Sequence, residues 1–160
     1  MVNIDELKDL GVFWDLADVH LKKISSLAVK KTYTANSTIY MSKERAGRIF
    51  IVQNGLVSLR LFNPGEEYGL NFGMREKGDL FGGASFLKPQ KYTVTAVCLK
   101  DTDLFAIESD KLLKAFDDDL ELGYKFMRET AQIYFDRYVN TEEQLHEMVK
   151  APSIITALPG

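Results

Sequence analysis

The residues best suited to chemistry lie between Gly78 and Val97, in the run GDLFGGASFLKPQKYTVTAV. A strand-like lead-in ends at Gly78-Asp79. An aromatic and two adjacent glycines follow at Phe81-Gly82-Gly83. Then come a short apolar turn, Ala84-Ser85-Phe86-Leu87, a loop with Pro89, and a β-branched strand from Thr93 to Val97. Paired glycines let a backbone approach a ligand closely, and the start of a helical turn offers N–H groups with no partner in the chain. Such a start is a common holder of phosphate or carboxylate. The same residues also describe a tight turn and one helical turn that plug a sheet. On the first reading the candidate ligand contacts are Gly82, Gly83, Ala84 and Ser85 through backbone N–H groups or hydroxyl. Gln90, Lys91 and Tyr92 would add side chains.

Elsewhere the residue types argue against a catalytic centre. The two histidines, His20 and His146, are far apart in sequence, and no HxH, HxxxH or CxxC spacing occurs. No metal site is expected, which sets aside a metal-dependent cupin, the obvious enzyme built on a β-roll. His20 reads as a surface or packing residue. No Ser/His/Asp or Cys/His set is suggested, and the carboxylates sit in turns and at helix starts. The chain is therefore not expected to be an enzyme. Cys98 is the one cysteine, which excludes an intrachain disulfide framework and fits a reducing compartment.

The 160 residues suffice for one domain with a real core, at 46% hydrophobic and 27% charged residues. A net charge of −3 argues against a large nucleic-acid surface. The start, MVNIDELKDLG, carries early acidic residues and reads as no signal peptide, and no apolar run approaches a bilayer span. A cytoplasmic location is expected, with neither membrane nor nucleic acid as a partner of this chain.

The elements that must position the glycine-rich run follow from periodicity. Residues 1–28 read as N-terminal helices, with Leu7, Leu10, Phe13, Leu16, Val19, Leu21, Ile24 and Leu27 at helical spacings broken by Gly11. Asn3 or Asp5 caps the first piece, and Trp14 reads as an anchor on the body of the domain. Residues 29–108 read as a β-roll. Strands are predicted from Val29 to Thr34, Thr38 to Met41, Arg48 to Gln53, Leu56 to Phe62, Glu67 to Met74, and Leu104 to Ile107, besides those of the run 78–97. Asn54-Gly55 between apolar runs predicts a hairpin, and Asn63-Pro64-Gly65-Glu66 the next turn. About eight short strands at spacings of roughly 8–12 residues, with helices at both ends, predict an antiparallel jelly roll. The class is mainly β. The one helical break inside it, Gly82 to Leu87, is where a pocket is expected.

Residues 109–150 read as helices. Ser109 or Asp110 caps Lys111 to Phe116, and Asp117, Asp118 and Asp119 stand where a helix start favours negative charge. A long helix of about 45 Å, at 1.5 Å per residue, then runs to about Val149. The tail 151–160 is apolar and bounded by Pro152. Along the helix Leu120, Tyr124, Met127, Ala131, Tyr134, Tyr138, Thr141, Leu145 and Met148 keep an unbroken heptad seam. A second row, Leu122, Phe126 and Ile133, marks another face. Two apolar faces imply two partners: the roll, and a second copy of the chain. A homodimer is expected through Leu120, Tyr124, Met127, Ala131, Tyr134, Tyr138 and Leu145. Tyr124 and Met127 are also candidate ligand contacts from the helix.

Terminal helices around an eight-stranded roll, the segment IFIVQNGLVSLRLF at 49–62, GDLFGGASFL at 78–87 and the long closing helix together resemble the cyclic nucleotide-binding domain. The nearest resemblance is to the sensor domains of the cyclic-AMP receptor protein and fumarate-nitrate regulator group, over roughly residues 10 to 149. In that family a phosphate-binding cassette reads F-G-E, a small-apolar helical turn, then an Arg before the last β-branched strand. Backbone N–H groups and the Arg hold the cyclic phosphate, and the Glu bonds the ribose hydroxyl. Here Phe81-Gly82 matches, Gly83 stands at the Glu position and Gln90 at the Arg position, with Lys91 beside it.

The resemblance implies a dimeric small-molecule sensor with no obligate cofactor, whose ligand is a cyclic nucleotide or another small anion bound between roll and long helix. The departures at Gly83 and Gln90 count against cyclic AMP itself. Ten residues after the helix are too few for the helix-turn-helix domain that follows in the regulators. Taken as the whole protein, the chain would lack a DNA-binding output. The alternatives are a ligand-free dimerisation scaffold, or the sensor part of a longer DNA-binding regulator.

Overall fold

The computed structural model describes residues 2–62 and 69–150. The chain forms two compact units, Met1–Phe126 and Met127–Gly160. In the first, helix α1 (Ile4–Lys8), a 3-10 turn (Gly11–Phe13) and helix α2 (Asp18–Leu27) precede eight strands. These are β1 (Ala28–Tyr33), β2 (Thr38–Tyr40), β3 (Arg48–Asn54), β4 (Val57–Leu61), β5 (Leu70–Arg75), β6 (Leu80–Phe81), β7 (Thr95–Cys98) and β8 (Thr102–Glu108). A second 3-10 turn, Gly83–Phe86, separates β6 from β7. Helix α3 (Ser109–Asp118) and helix α4 (Leu120–Val149) follow β8.

The strands form two antiparallel four-stranded sheets, in the orders β1-β8-β3-β6 and β2-β7-β4-β5. This is the expected jelly roll, with both sheets built from strands distant in sequence. Alternation along β3 and β8 explains the layering. Phe50, Val52, Leu104 and Ala106 join the core between the sheets, with Val57 and Leu59 of β4 and Ala96 and Cys98 of β7. Ile49, Ile51, Phe105 and Ile107 alternate to the opposite face and are fully buried as well. The helical segments cover that face. Glu6 of α1 accepts from Lys30 of β1 at 2.6 Å and from Gln53 of β3 at 3.0 Å. A strand buried on both faces reads as a continuous apolar run, which is why Ile49 to Val52 shows no polar partner residues.

Three details differ from the sequence reading. The Asn54-Gly55 pair does not make a hairpin: β3 pairs with β8 and β6, and β4 pairs with β5 and β7. The chain crosses there from one sheet to the other. Only Gly55 takes a positive φ (+106°), whereas a type I′ turn needs two such residues. Trp14 does not anchor the N-terminal segment. It is 67% exposed, and Phe13, 1% exposed, takes that role against Phe126 at a centroid distance of 6.1 Å. Helix α3 begins at Ser109 itself, with Glu108 at the cap position and no side-chain cap bond. Asn3 does cap α1, accepting from the Asp5 N–H at 3.1 Å. Asp119 caps α4, accepting from the Leu122 N–H at 3.1 Å. The predicted turn at residues 63–66 and the tail 151–160 lie outside the described residues.

In the first unit Leu122 and Phe126 of α4 are fully buried while Leu120 and Tyr124 are 77% and 65% exposed. Phe126 packs on Phe13, on Phe116 of α3 at 5.2 Å, and edge-on to Phe86 at 6.3 Å. In the second unit α4 continues to Val149, with Tyr134, Tyr138, Leu145 and Met148 exposed along one line of the helix. Bonds along its surface support it, among them Gln132 to Asp136 at 2.8 Å and Tyr138 to Glu142 at 2.5 Å.

Candidate functional site

Strand β6 lies against β3, with Phe81 opposite Phe50 and Leu80 opposite Ile51. The chain then turns sharply. Gly82 sits in the left-handed region at φ +83°, ψ +16°, and caps the 3-10 turn Gly83–Phe86. A Cβ at Gly82 would lie 2.9 Å from the Arg48 carbonyl oxygen, so glycine is required both for the dihedral and for the approach. The Ser85 N–H donates to the Gly82 carbonyl at 3.0 Å, and the Gln90 N–H to the Leu87 carbonyl at 2.7 Å. The Ser85 hydroxyl is fully buried and has no hydrogen-bond partner. Gln90 has a φ of +53°, and its side-chain amide donates to the Ser85 carbonyl at 3.0 Å. Gln90 therefore turns back onto the glycine-rich turn, where its amide group bonds that turn's own backbone.

Beside the cassette the roll is packed with rings. Tyr40 stacks on Tyr92 at a centroid distance of 3.7 Å, and Phe50 on Phe81 at 5.2 Å. Tyr40 also meets Phe50 at 5.8 Å and Phe81 at 6.1 Å. The Tyr92 hydroxyl accepts from the Arg48 N–H at 3.3 Å and donates to the Arg48 carbonyl at 2.9 Å. Burial pushes the Tyr92 hydroxyl pKa up, so it stays a donor. The Arg48 backbone is thus held between the cassette glycine and Tyr92. Burial likewise raises the Cys98 thiol pKa, which keeps it protonated and inert.

The structure places Gly82, Gly83, Ala84 and Ser85 in one turn, and the Gln90 side chain bonds the Ser85 carbonyl from the following loop. Lys91 is exposed in the loop, where its backbone bridges to Arg45. Tyr92 is buried in the ring stack, its hydroxyl already bonded, and offers a ligand no free polar group. Tyr124 is exposed on α4, and Met127 opens the second unit. Among the described residues no cluster of His, Cys, Asp and Glu could hold a metal, and no helix is long and apolar enough to cross a membrane.

One set of residues was not visible in the sequence. Tyr33, Ile39, Tyr40, Arg45, Arg48 and Tyr92 line a cleft of about 420 Å³, with Glu44, Glu108 and Asp110 at its polar side. They come from β1, β2, β3, the end of β8, the β2–β3 loop, the loop before β7 and the start of α3. The only hint was Arg48 heading an otherwise apolar strand.

The fold and cassette can now be set beside known proteins. The family model for the cyclic nucleotide-binding domain matches residues 30–119. Among solved structures, a cyclic nucleotide-binding domain from Methylobacillus flagellatus KT superposes with a TM-score of 0.75 at 14% identity, covering 98% of this chain and 83% of that one. The Thermus thermophilus catabolite activator protein gives 0.70 at 21% identity, covering 86% of this chain and 62% of its own. The sensor domain of the transcriptional regulator DNR from Pseudomonas aeruginosa gives 0.69 at 16% identity, covering 84% and 89%. A search of curated protein sequences matched none. Likeness at these identities speaks for the fold. With the family match across more than half its length, this chain belongs to the cyclic nucleotide-binding domain family.

Proposed function

We propose that the chain is a non-catalytic, cytoplasmic sensor module that works as a homodimer and takes a small anionic ligand other than cyclic AMP at its cassette. One observation carries the reading. The cassette turn keeps its glycine geometry, and within it the Ser85 hydroxyl is buried with no partner. An unpaired buried hydroxyl costs about 1–3 kcal/mol, which a bound oxyanion would recover. Cyclic AMP is disfavoured because Gly83 has no side chain for a ribose hydroxyl and Gln90 carries no charge. Each missing charge-assisted bond removes roughly tenfold or more in affinity. The exposed heptad line on α4 supports the homodimer, and ligand would act by changing the angle or register of the paired helices.

Calorimetric titration with cyclic AMP, cyclic GMP, succinate, 2-oxoglutarate and citrate tests the ligand. We expect no heat from the nucleotides and a saturable signal from an acid, lost in Ser85→Ala. Sedimentation velocity tests the dimer, with Tyr138→Glu expected to yield monomer. A second reading, a ligand-free scaffold, is favoured by the ring stack of Tyr40, Tyr92, Phe50 and Phe81 beside the cassette. The pair Gly83→Glu with Gln90→Arg separates the two. If the double variant binds no cyclic nucleotide and the wild type binds no acid, the scaffold reading holds.

A further inference from the structure

We propose that a smaller cleft, of about 300 Å³ and apart from the cassette turn, is a binding site for a small phosphate monoester. The strand register builds it. Val29 of β1 lies opposite Ala106 of β8, and Arg48 of β3 lies opposite Glu108 of β8. Successive side chains alternate between the faces of a sheet, so Val29, Lys31, Ala106, Glu108 and Arg48 share one face. All five line the cleft, with Leu27 at the end of α2 and Lys111 in the first turn of α3. Its volume stands at the small end of ligand sites.

Charge selects the ligand. Lys31, Arg48 and Lys111 stand around the single carboxylate of Glu108, so the lining is positive in a chain whose net charge is −3. The adjoining 420 Å³ cleft shares Arg48 but has the opposite balance, with Glu44, Glu108 and Asp110 against Arg45 and Arg48. In the smaller cleft Lys111 pairs with Glu108 at 2.9 Å. The side chains of Lys31 and Arg48 make no ion pair among the described residues. The Ser26 hydroxyl already donates to the Lys23 carbonyl at 2.7 Å, so holding an anion falls to Lys31 and Arg48. Two unmatched cations suit a dianion, and a phosphate monoester carries a charge of about −1.5 to −2 at pH 7. The planar fork of Arg binds phosphate through two parallel bonds, and Lys adds a point charge. Leu27, Val29 and Ala106 supply an apolar floor for the organic part of the ester. A monocarboxylate would leave one cation unmatched, and an amine would meet net positive charge. None of these side chains belongs to the cassette turn, so the site stands whether or not the cassette binds an anion.

The test titrates the full chain with glycerol 3-phosphate, with glycerol and lactate as controls, followed by calorimetry and by the Val29 and Ala106 methyl resonances. Glycerol 3-phosphate should shift both methyls and saturate, and the controls should not. Arg48→Gln should weaken binding about tenfold, and Lys31→Gln about three- to fivefold. Lys30 lies on the opposite face of β1 and pairs with Glu6. Lys30→Gln removes the same charge from the same strand, yet should change the affinity by less than about twofold. Near-UV circular dichroism verifies the fold of each variant. The proposal is overturned if glycerol 3-phosphate leaves the Val29 and Ala106 methyls unmoved at millimolar concentration, if lactate binds as well, or if Lys30→Gln weakens binding as much as Arg48→Gln does.

Discussion

Replacing Gly82 with alanine separates two costs that the cassette combines. Gly82 has a φ of +83°, and an added Cβ would meet the Arg48 carbonyl oxygen at 2.9 Å and Phe50 Cδ2 at 3.2 Å. Gly78, four residues earlier, has a similar φ of +91° but nothing within 4 Å of an added Cβ. Gly78→Ala therefore reports the dihedral cost alone, about 1–2 kcal/mol for an L-residue in the left-handed region. Gly82→Ala carries the same cost plus the displacement of a carbonyl that also accepts from the Tyr92 hydroxyl at 2.9 Å. Forcing a side chain into a packed site adds about 1–3 kcal/mol. With a urea m-value of about 2 kcal/mol/M, the midpoint should fall by about 0.5–1 M for Gly78→Ala and about 1–2.5 M for Gly82→Ala. Urea unfolding followed by far-UV circular dichroism measures both. Equal midpoints in the two variants would refute the close approach of cassette to β3, and with it the account of why Gly82 opens the turn.

Tyr92→Phe keeps the stack on Tyr40 but removes both bonds to the Arg48 backbone, so a loss of about 1–3 kcal/mol is expected in the same unfolding assay. Cys98 is fully buried with a raised thiol pKa, so a thiol reagent at pH 8 should react only as fast as the protein opens, and fully in denaturant. The hydrogen bond from Lys30 holds the Glu6 carboxyl below its ordinary pKa. Its contribution is then complete above the unfolded value of about 4.3 and is lost as pH falls through the lower folded value. Glu6→Gln should lower the stability plateau from about pH 5 upward and flatten the acid limb, so that variant and wild type converge at low pH.

The β-roll and the closing helix were legible because their signals are local. The change of period after the N-terminal helices marked the first strand, and the heptad line marked α4. The helical turn after Gly82 was legible for the same reason, since its glycines, Ser85 and Gln90 lie within a few residues of each other. The Asn54-Gly55 hairpin was misread because a turn dipeptide reports a change of direction, while the pairing partner is set by which faces must be buried. Strand β3 has two buried faces and is claimed by β8 and β6. Trp14 was misread because its neighbour Phe13 has the phase that meets Phe126. The Arg48 cleft had no local signal at all. Tyr33, Arg48, Tyr92 and Glu108 become neighbours only when β1, β3 and β8 lie side by side.

That pairing order also governs how the protein comes into being. Among the described residues strand β1 pairs only with β8, the last strand of the roll, with Ala28 opposite Ile107 and Tyr33 opposite Thr102. On the ribosome the first strand must wait, unpaired, until nearly the whole roll has emerged, and Phe13 must wait longer still for Phe126. Topologies dominated by such distant pairings fold in milliseconds to seconds rather than microseconds. The nascent N-terminal half therefore exposes β1 and the apolar run of β3 throughout synthesis. A truncation that stops before β8 should yield an aggregating chain, because β1 and β3 then lack the strand they share.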